Sequence, residues 1–517
     1  MNKAKIQQLK FSCISDSLKR LIFICLLFFA SLLEAQKPNI LLIISDDLNT
    51  RIGPYMEIDK HTPSLDRLAN EGIRFSRTYC QYPLCGPSRA SFMSGLHPET
   101  NRVLGNNTNP GSYCTKNLSL ANHPSMAGFF REHGYYTARV SKIYHMGVPG
   151  GIERGEPGGD EPNSWDYAYN VMGPETLSPG KLELLSPGNL HYGSNFSRMI
   201  LNNELEHTQT DYLAASQAIA ILENRSGTLP ENGKNTQKIK KDSPFFLAVG
   251  LVRPHVPLIA PENCFKPYPE NEVELSSVVV EEDVPEQALS RQNKNIWKMN
   301  EIQKRQTISA YMASVRFMDQ QVGRLLDALD RLKIRKETIV IFISDHGYNL
   351  GEHDCWSKVS LWEGSVRVPM IISYPGDEKN YGTTCESITE LLDLYPTLTE
   401  LCGLSNEQPE ILQGKSLAGY IMKNKTVKGE SLAYTISFGG KGASLRTDRW
   451  RYTRWGEEVD IKNEELYDHL NDPEEKNNLA NQPEQQEILI SMRSKFENAR
   501  KKAQEKMQEI KGKVGLF

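Results

Sequence analysis

Three uninterrupted apolar runs limit what this chain can fold into. Residues 39–45 (NILLIIS), 245–251 (FFLAVGL) and 338–344 (TIVIFIS) contain no charged side chain. Runs of this kind read as strands buried on both faces, the pattern of a parallel sheet covered by helices. The first ends in Asp46-Asp47 and the third in Asp345-His346. Residues 368–374 read as a further buried strand and 136–140 as another. Helical periodicity runs between them. Thr62-Pro63 caps a helix through Leu65, Leu68 and Ala69 that stops at Gly72, and residues 125–133 form a second, stopped by Gly134. Residues 308–332 form a long third, with Leu325, Leu326 and Leu329 on one stripe. Alternating strands and helices predict an α/β sandwich.

The remaining segments differ in character. Residues 150–200 are rich in Gly, Pro, Asn and Ser and predict long ordered loops beside a cleft. Residues 224–242 are polar and Lys-rich, an exposed loop. Beyond about residue 412 short strands take over, 444–447 and 450–455 among them, followed by a charged amphipathic helix over 484–512. At the start, Lys3, Lys5, Lys10, Lys19 and Arg20 precede an apolar run at 21–33, too short to span a bilayer comfortably. Residues 1–35 therefore read as a cleaved signal peptide, which implies export to the periplasm or the exterior without stable membrane insertion. Nine cysteines occur. Cys13 and Cys25 leave with the leader, and Cys80, Cys85, Cys114, Cys264, Cys355, Cys385 and Cys402 remain. Setting Cys85 aside leaves an even number, which permits disulfides in an oxidising compartment. A net charge of −4 offers no basic field for nucleic acid.

Cys85-Gly86-Pro87-Ser88-Arg89 carries the chemistry, with Gly95 beyond it. Pro87 suits a first helical turn and Gly95 a helix stop. Cys85 would then lie at the positive end of a helix dipole with Arg89 one turn on, a setting that favours an anion. The string resembles the signature of the type I sulfatases. The resemblance runs through 245–257 (FFLAVGLVRPHVP), Asp345-His346-Gly347, Gly351-Glu352-His353 and Ser444-Leu445-Arg446-Thr447, closest to iduronate-2-sulfatase-like enzymes acting on polysaccharides. It implies an alkaline-phosphatase-like sandwich: a large mixed sheet flanked by helices (36–411), then a smaller C-terminal subdomain with a short antiparallel sheet (412–517).

The same resemblance implies the site. A maturing enzyme, formylglycine-generating or of another type, oxidises Cys85 to formylglycine, and one hydroxyl of the hydrated aldehyde attacks the sulfur of a sulfate ester. The second hydroxyl then loses its proton and the aldehyde reforms as sulfate leaves. Asp46, Asp47, Cys85, Asp345 and His346 hold one calcium ion, since clustered oxygen ligands suit a hard cation. His346 departs from the asparagine of many sulfatases. Lys142, in Lys142-Ile143-Tyr144-His145, and Lys358 bind the sulfate. His145 deprotonates the diol, Arg89 orients it, and His255, between Pro254 and Pro257, contacts the substrate and protonates the leaving alcohol. His353 is expected to be structural. The implied substrate is a sulfated oligosaccharide or polysaccharide, such as ulvan, carrageenan or a glycosaminoglycan. Open alternatives are a phosphoesterase of the same superfamily, a non-catalytic sulfoglycan-binding protein, and a choline-type sulfatase.

Overall fold

A computed structural model describes residues 37–56, 61–188, 195–223, 243–278, 283–376, 378–423 and 431–514. The leader at 1–35 and the loop at 224–242 lie outside these residues. All that follows concerns one unit, Asn39–Phe517.

Eight strands form the main sheet: β1 (Asn39–Asp46), β2 (Ile73–Tyr79), β3 (Tyr136–Ser141), β4 (Tyr167–Tyr169), β5 (Phe245–Pro254), β6 (Thr338–Ser344), β7 (Arg367–Ser373) and β8 (Thr383–Glu390). Their spatial order is β8-β2-β7-β6-β1-β5-β3-β4. The three charge-free runs lie side by side as β6, β1 and β5, all parallel, and β3 and β4 continue the same sense. The run at 368–374 behaves differently: β7 is antiparallel to both β6 and β2. The connection from β6 has one short α-helix, Glu363–Val366, in place of a crossover helix.

Six helices are used below: α1 (Pro63–Asn70), α2 (Cys85–Ser94), α3 (Met126–Glu132), α4 (Thr210–Glu223), α5 (Glu301–Arg331) and α6 (Leu394–Leu401). Side chains alternate along each central strand, so β1 feeds two cores. Ile40, Leu42 and Ile44 pack under α2, α3 and α6. Leu41 and Ile43 pack under α1, α4 and α5. Both faces of the sheet are covered, which is why these strands carry no polar alternation.

Several local expectations change. Thr62 does not cap α1, because its hydroxyl accepts from the Gly53 amide at 2.8 Å. Asp319 of α5 caps it instead, accepting from the Ser64 and Leu65 amides at 3.1 and 2.8 Å. As expected, α1 ends just before Gly72: it closes at Asn70, Glu71 is its C-cap, and the Gly72 amide donates to the Ala69 carbonyl at 3.3 Å. Glycine is needed at 72 because a Cβ would lie 2.7 Å from the Ile372 carbonyl oxygen. The long helix begins at Glu301, before the apolar stripe, where Asn300 and Gln303 form a reciprocal capping box. The even cysteine count leads to no disulfide: Cys80, Cys85, Cys114, Cys264, Cys355, Cys385 and Cys402 are all free.

Four further strands, β9 (Leu432–Ser437), β10 (Gly442–Thr447), β11 (Trp450–Trp455) and β12 (Glu464–Asp468), form an antiparallel meander. The helix α7 (Gln486–Val514) lays Leu489, Met492 and Phe496 against Tyr434, Leu445 and Tyr452 of this sheet. Leu417, Ala418 and Ile421 still belong to the core of the main sheet. The two sheets are joined by Arg451 on β11, whose buried guanidinium pairs with Glu363 and Glu475. Among the described residues no helix is long and apolar enough to cross a membrane.

Candidate active site

Parallel register assembles the site. Ser45 of β1 lies opposite Ser344 of β6 and Leu251 of β5. A shift after Ser45 then sets Asp46 opposite Pro254. Asp46-Asp47, Asp345-His346 and His255 therefore emerge at one edge, and Lys142 follows the end of β3 beside them. Ligands in open α/β sheets gather beyond the carboxyl ends of the strands for this reason.

Backbone conformation turns these residues inward. Asp47 is left-handed at φ 67°, which a short polar side chain tolerates. Its amide donates to Asp345 Oδ1 at 3.2 Å, and the next amide, of Leu48, donates to Ser344 Oγ at 3.0 Å. Its carbonyl accepts from the Tyr311 hydroxyl at 2.8 Å, and that hydroxyl accepts from the Asn49 amide at 2.9 Å. Both lysines follow left-handed residues, Lys142 after Ser141 (φ 62°) and Lys358 between Ser357 (φ 72°) and Val359 (φ 80°). For a β-branched valine this is a strained conformation, of the kind that collects at functional sites.

Cys85 is the first residue of α2, which ends at a left-handed Gly95. Its Sγ lies 3.1 Å from Lys358 Nζ, 3.4 Å from His346 Nε2 and 3.9 Å from Asp47 Oδ1. Ligand atoms of Asp46, Cys85, Asp345 and His346 fall within 4.8 Å of one another, and Asp47, Cys85 and His255 form an overlapping group. Arg89, fully buried, ties the strand ends together. Nε donates to Asp345 Oδ2 at 2.9 Å, one terminal nitrogen lies 3.4 Å from Asp46, and the other donates to the Lys142 and Ile143 carbonyls at 2.6 and 3.0 Å. Lys142 pairs with Asp46, and Lys358 with Asp47 at 2.6 Å. His255 is buried, with Nδ1 2.7 Å from the Val256 carbonyl and Nε2 3.9 Å from Asp47. The half-buried His145 lies beside position 85 and interacts with its side chain electrostatically. His353 stands apart, stacked on Trp362 with ring centroids 4.1 Å apart.

Charge density is high and buried. Burial alone would raise the Cys85 thiol, but Lys358, Lys142, His346 and a bond from His145 hold it well below the ordinary value. Burial and the thiolate push the Asp46 carboxyl up, and Lys142, His255 and Arg89 outweigh them to keep it below the usual carboxylate range. Burial raises Asp345 to about 7 despite His346 and Arg89. Burial disfavours charge on His346, yet Asp345 and Cys85 lift it to about 9. A site that draws a proton onto an imidazole in this way favours positive charge at its centre.

The donor set suits a divalent cation. Asp46 Oδ1 is buried without a hydrogen-bond partner. Nδ1 of His346 lies 2.9 Å from the Gly347 carbonyl, a contact that an N–H satisfies, so Nε2 is the nitrogen turned to the carboxylates and able to exchange its proton for a cation. Metal-binding histidines are oriented in this manner.

Some participants carry no sequence signal. Asn106 accepts from the Gly86 amide at 2.9 Å at the start of α2. The Ser88 hydroxyl donates to the Asp345 carbonyl, and only its place in the Cys85 string marks it. Tyr311 sits inside an apolar helical stripe and reads as core.

A mixed sheet of this order covered by helices on both faces, with a small antiparallel sheet beyond it, is the alkaline-phosphatase-like fold. Residues 38–404 match the sulfatase family, and residues 351–502 match the family described as N-sulphoglucosamine sulphohydrolase, C-terminal. A sulfatase of Formosa agariphila is 31% identical over 459 residues, 87% of this chain and 84% of the relative. Human iduronate 2-sulfatase is 31% identical over 395 residues, 73% of this chain and 67% of the relative. A solved 2-O glycosaminoglycan sulfatase superposes with a TM-score of 0.64 at 24% identity, covering 92% of this chain and 94% of that one. The chain belongs to the sulfatase family and is a sulfuric ester hydrolase.

Proposed function

We propose that this enzyme is exported and removes sulfate from a sugar of a sulfated polysaccharide or its oligosaccharides. The observation that carries the reading is the convergence of Cys85 with Asp46, Asp345 and His346 within 4.8 Å. Matured to formylglycine, residue 85 would supply in hydrated form the hydroxyl that attacks sulfur and a second through which the aldehyde is restored. A calcium ion held by Asp46, Asp47, Asp345 and His346, with residue 85, would polarise a sulfate oxygen.

The chain's own residues then have distinct tasks. Lys142, Lys358 and Arg89 neutralise the sulfate oxygens and hold the ester against position 85. Burial holds the His145 imidazole below its ordinary range, so it stays neutral and accepts a proton from residue 85. His255 carries one proton on Nδ1, fixed by the Val256 carbonyl. Nε2 is the nitrogen that faces the site and, carrying a second proton, gives that proton to the departing sugar oxygen. The names of the iduronate and glycosaminoglycan sulfatases support a saccharide substrate. Ulvan and carrageenan fragments belong to the same substrate class. The charged start and apolar run within residues 1–35 support export.

The test is the intact mass of the exported protein together with sulfate release. Conversion of Cys85 lowers the mass by about 18 Da, elemental analysis finds calcium, and sulfated oligosaccharides yield free sulfate. An unmodified thiol with no sulfate release, or faster turnover of an aryl phosphate than of an aryl sulfate, overturns the proposal.

A further inference from the structure

His255 stands on a turn anchored from distant parts of the chain. Its amide donates to the Val252 carbonyl at 2.9 Å, closing the turn at the end of β5. Asp211, at the start of α4, accepts from the first two amides of that turn, Val252 at 2.7 Å and Arg253 at 3.0 Å. The Arg253 carbonyl accepts from Ser45 Oγ at 2.8 Å. Ser45 directly precedes Asp46-Asp47, so one strand end fixes both the carboxylates and the histidine's turn.

The Arg253 side chain adds a second anchor. One terminal nitrogen donates to the His255 carbonyl at 3.3 Å, and the other to both carboxylate oxygens of Glu175, at 3.0 and 2.9 Å. Arg253, Glu175 and Asp211 are all buried. Glu175 comes from the Gly- and Pro-rich stretch at 150–200, where it opens the short 3-10 helix Glu175–Leu177 with a left-handed backbone at φ 36°. That conformation is strained for a residue with a Cβ. It is held from α4. Thr210, the neighbour of Asp211, donates its hydroxyl to Glu175, and Gly173 packs so tightly there that a Cβ would lie 1.9 Å from the Thr210 hydroxyl oxygen.

Stability is a poor reason for such a pair. A buried Arg–Glu pair gains little over apolar side chains of the same volume, and a strained backbone subtracts from that. The effect of the geometry lies at His255. Glu175 sets the guanidinium, the guanidinium holds the His255 carbonyl, and the ring is fixed in turn by the Val256 carbonyl, 2.7 Å from Nδ1. Nε2 is left facing the site, 3.9 Å from Asp47.

We propose that Glu175 is a positioning residue for His255, acting through Arg253 and touching no substrate. The inference rests on the reading of His255 as the acid: as the S–O bond breaks, the leaving oxygen keeps the bonding pair and takes the Nε2 proton.

The test turns on the leaving group. A nitrophenolate departs without help, whereas a more basic oxygen needs the proton. The matured, metal-loaded enzyme and its variants are assayed on para-nitrophenyl and para-methoxyphenyl sulfate. The ratio of the two rates is read on each preparation, so the yield of folded protein cancels. His255→Ala loses about 100-fold more on the methoxyphenyl ester than on the nitrophenyl ester. Glu175→Gln keeps the shape and removes the charge, and it loses about tenfold more on the methoxyphenyl ester, in kcat. Glu175→Leu combined with Arg253→Met removes the pair as a unit, so folding is retained, and shows the same bias. Equal losses on both esters in the Glu175 variants, or none, beside a biased His255→Ala, overturn the positioning role and leave the acid in place. Equal losses in His255→Ala remove the acid reading, and the inference with it.

Discussion

Replacing Arg451 by methionine should destabilise the protein strongly at neutral pH and weakly in acid. The guanidinium is buried between Glu475 and Glu363 and also donates to Ser444 Oγ at 3.1 Å and the Leu361 carbonyl at 3.3 Å. It joins the small sheet to the segment that follows Lys358. Burial opposes charge on Glu475, but Arg451 and His469, 2.8 Å away, draw its carboxyl down to about 2. Burial likewise opposes charge on Glu363, and Arg451 leads the groups that hold it below the usual range. A carboxyl lowered from 4.5 to about 2 corresponds to about 3 kcal/mol of stability at pH 7. Breaking a buried ion pair by deleting one partner costs about 3–5 kcal/mol by an independent route. The sign follows from the lowered values. The stabilisation is complete above pH 4.5 and is lost as pH falls towards 2. In the variant Glu475 keeps His469, and Glu363 the more distant Arg446 and Arg367, so both carboxyls take up protons more readily and the defect eases as pH falls. Guanidinium unfolding of both proteins at pH 7 and pH 4 measures this. The variant loses about 3–5 kcal/mol at pH 7 and the gap narrows at pH 4. A loss under about 1 kcal/mol, or a gap independent of pH, would show that the pair is solvated and refute the argument.

Two further substitutions probe the site's supports. Tyr311→Phe leaves the Asp47 carbonyl and the Asn49 amide without their partner. It should cost about 1–3 kcal/mol and weaken the proposed calcium binding by about tenfold or more, read by denaturation and calcium titration, with wild-type affinity as the refuting result. Gly86→Ala would place a Cβ 2.9 Å from both Asn106 Oδ1 and the Gly105 carbonyl oxygen. Overpacking of this kind costs about 1–3 kcal/mol, and sulfatase activity should fall with it. An unchanged unfolding midpoint would mean the 105–106 loop yields freely.

The charge-free runs at 39–45, 245–251 and 338–344 were readable as buried parallel strands because burial on both faces leaves no other composition. Their order along the sheet was not readable, since β1, β5 and β6 are apolar alike and the pairing depends on the helices between them. The direction of β7 was hidden for the same reason: an apolar run looks alike in either sense, and only its return connection decides. The cysteine count pointed towards bridges, yet five separately buried thiols and the half-buried Cys114 satisfy the same composition.

The site shows the same division. Residues that contribute charge to the centre stand in recognisable strings, because a strand end or a helix start fixes several at once. Residues that hold those strings in place come from distant chain and have ordinary alternatives: Tyr311 is a plausible core side chain, Asn106 a plausible loop residue, and Asp319 a plausible surface acid until α1 is seen to lack a cap of its own. The left-handed backbone at Asp47, Ser141, Ser357 and Val359 is the clearest case. None of these residues favours that conformation as glycine does, so it is set by surrounding bonds, such as Tyr311 to the Asp47 carbonyl, which span 264 residues. Local sequence specifies which groups react. The strain that aims them is imposed by tertiary contacts, and for that reason Tyr311→Phe should disturb the metal site more than any substitution of an exposed residue closer to it in sequence.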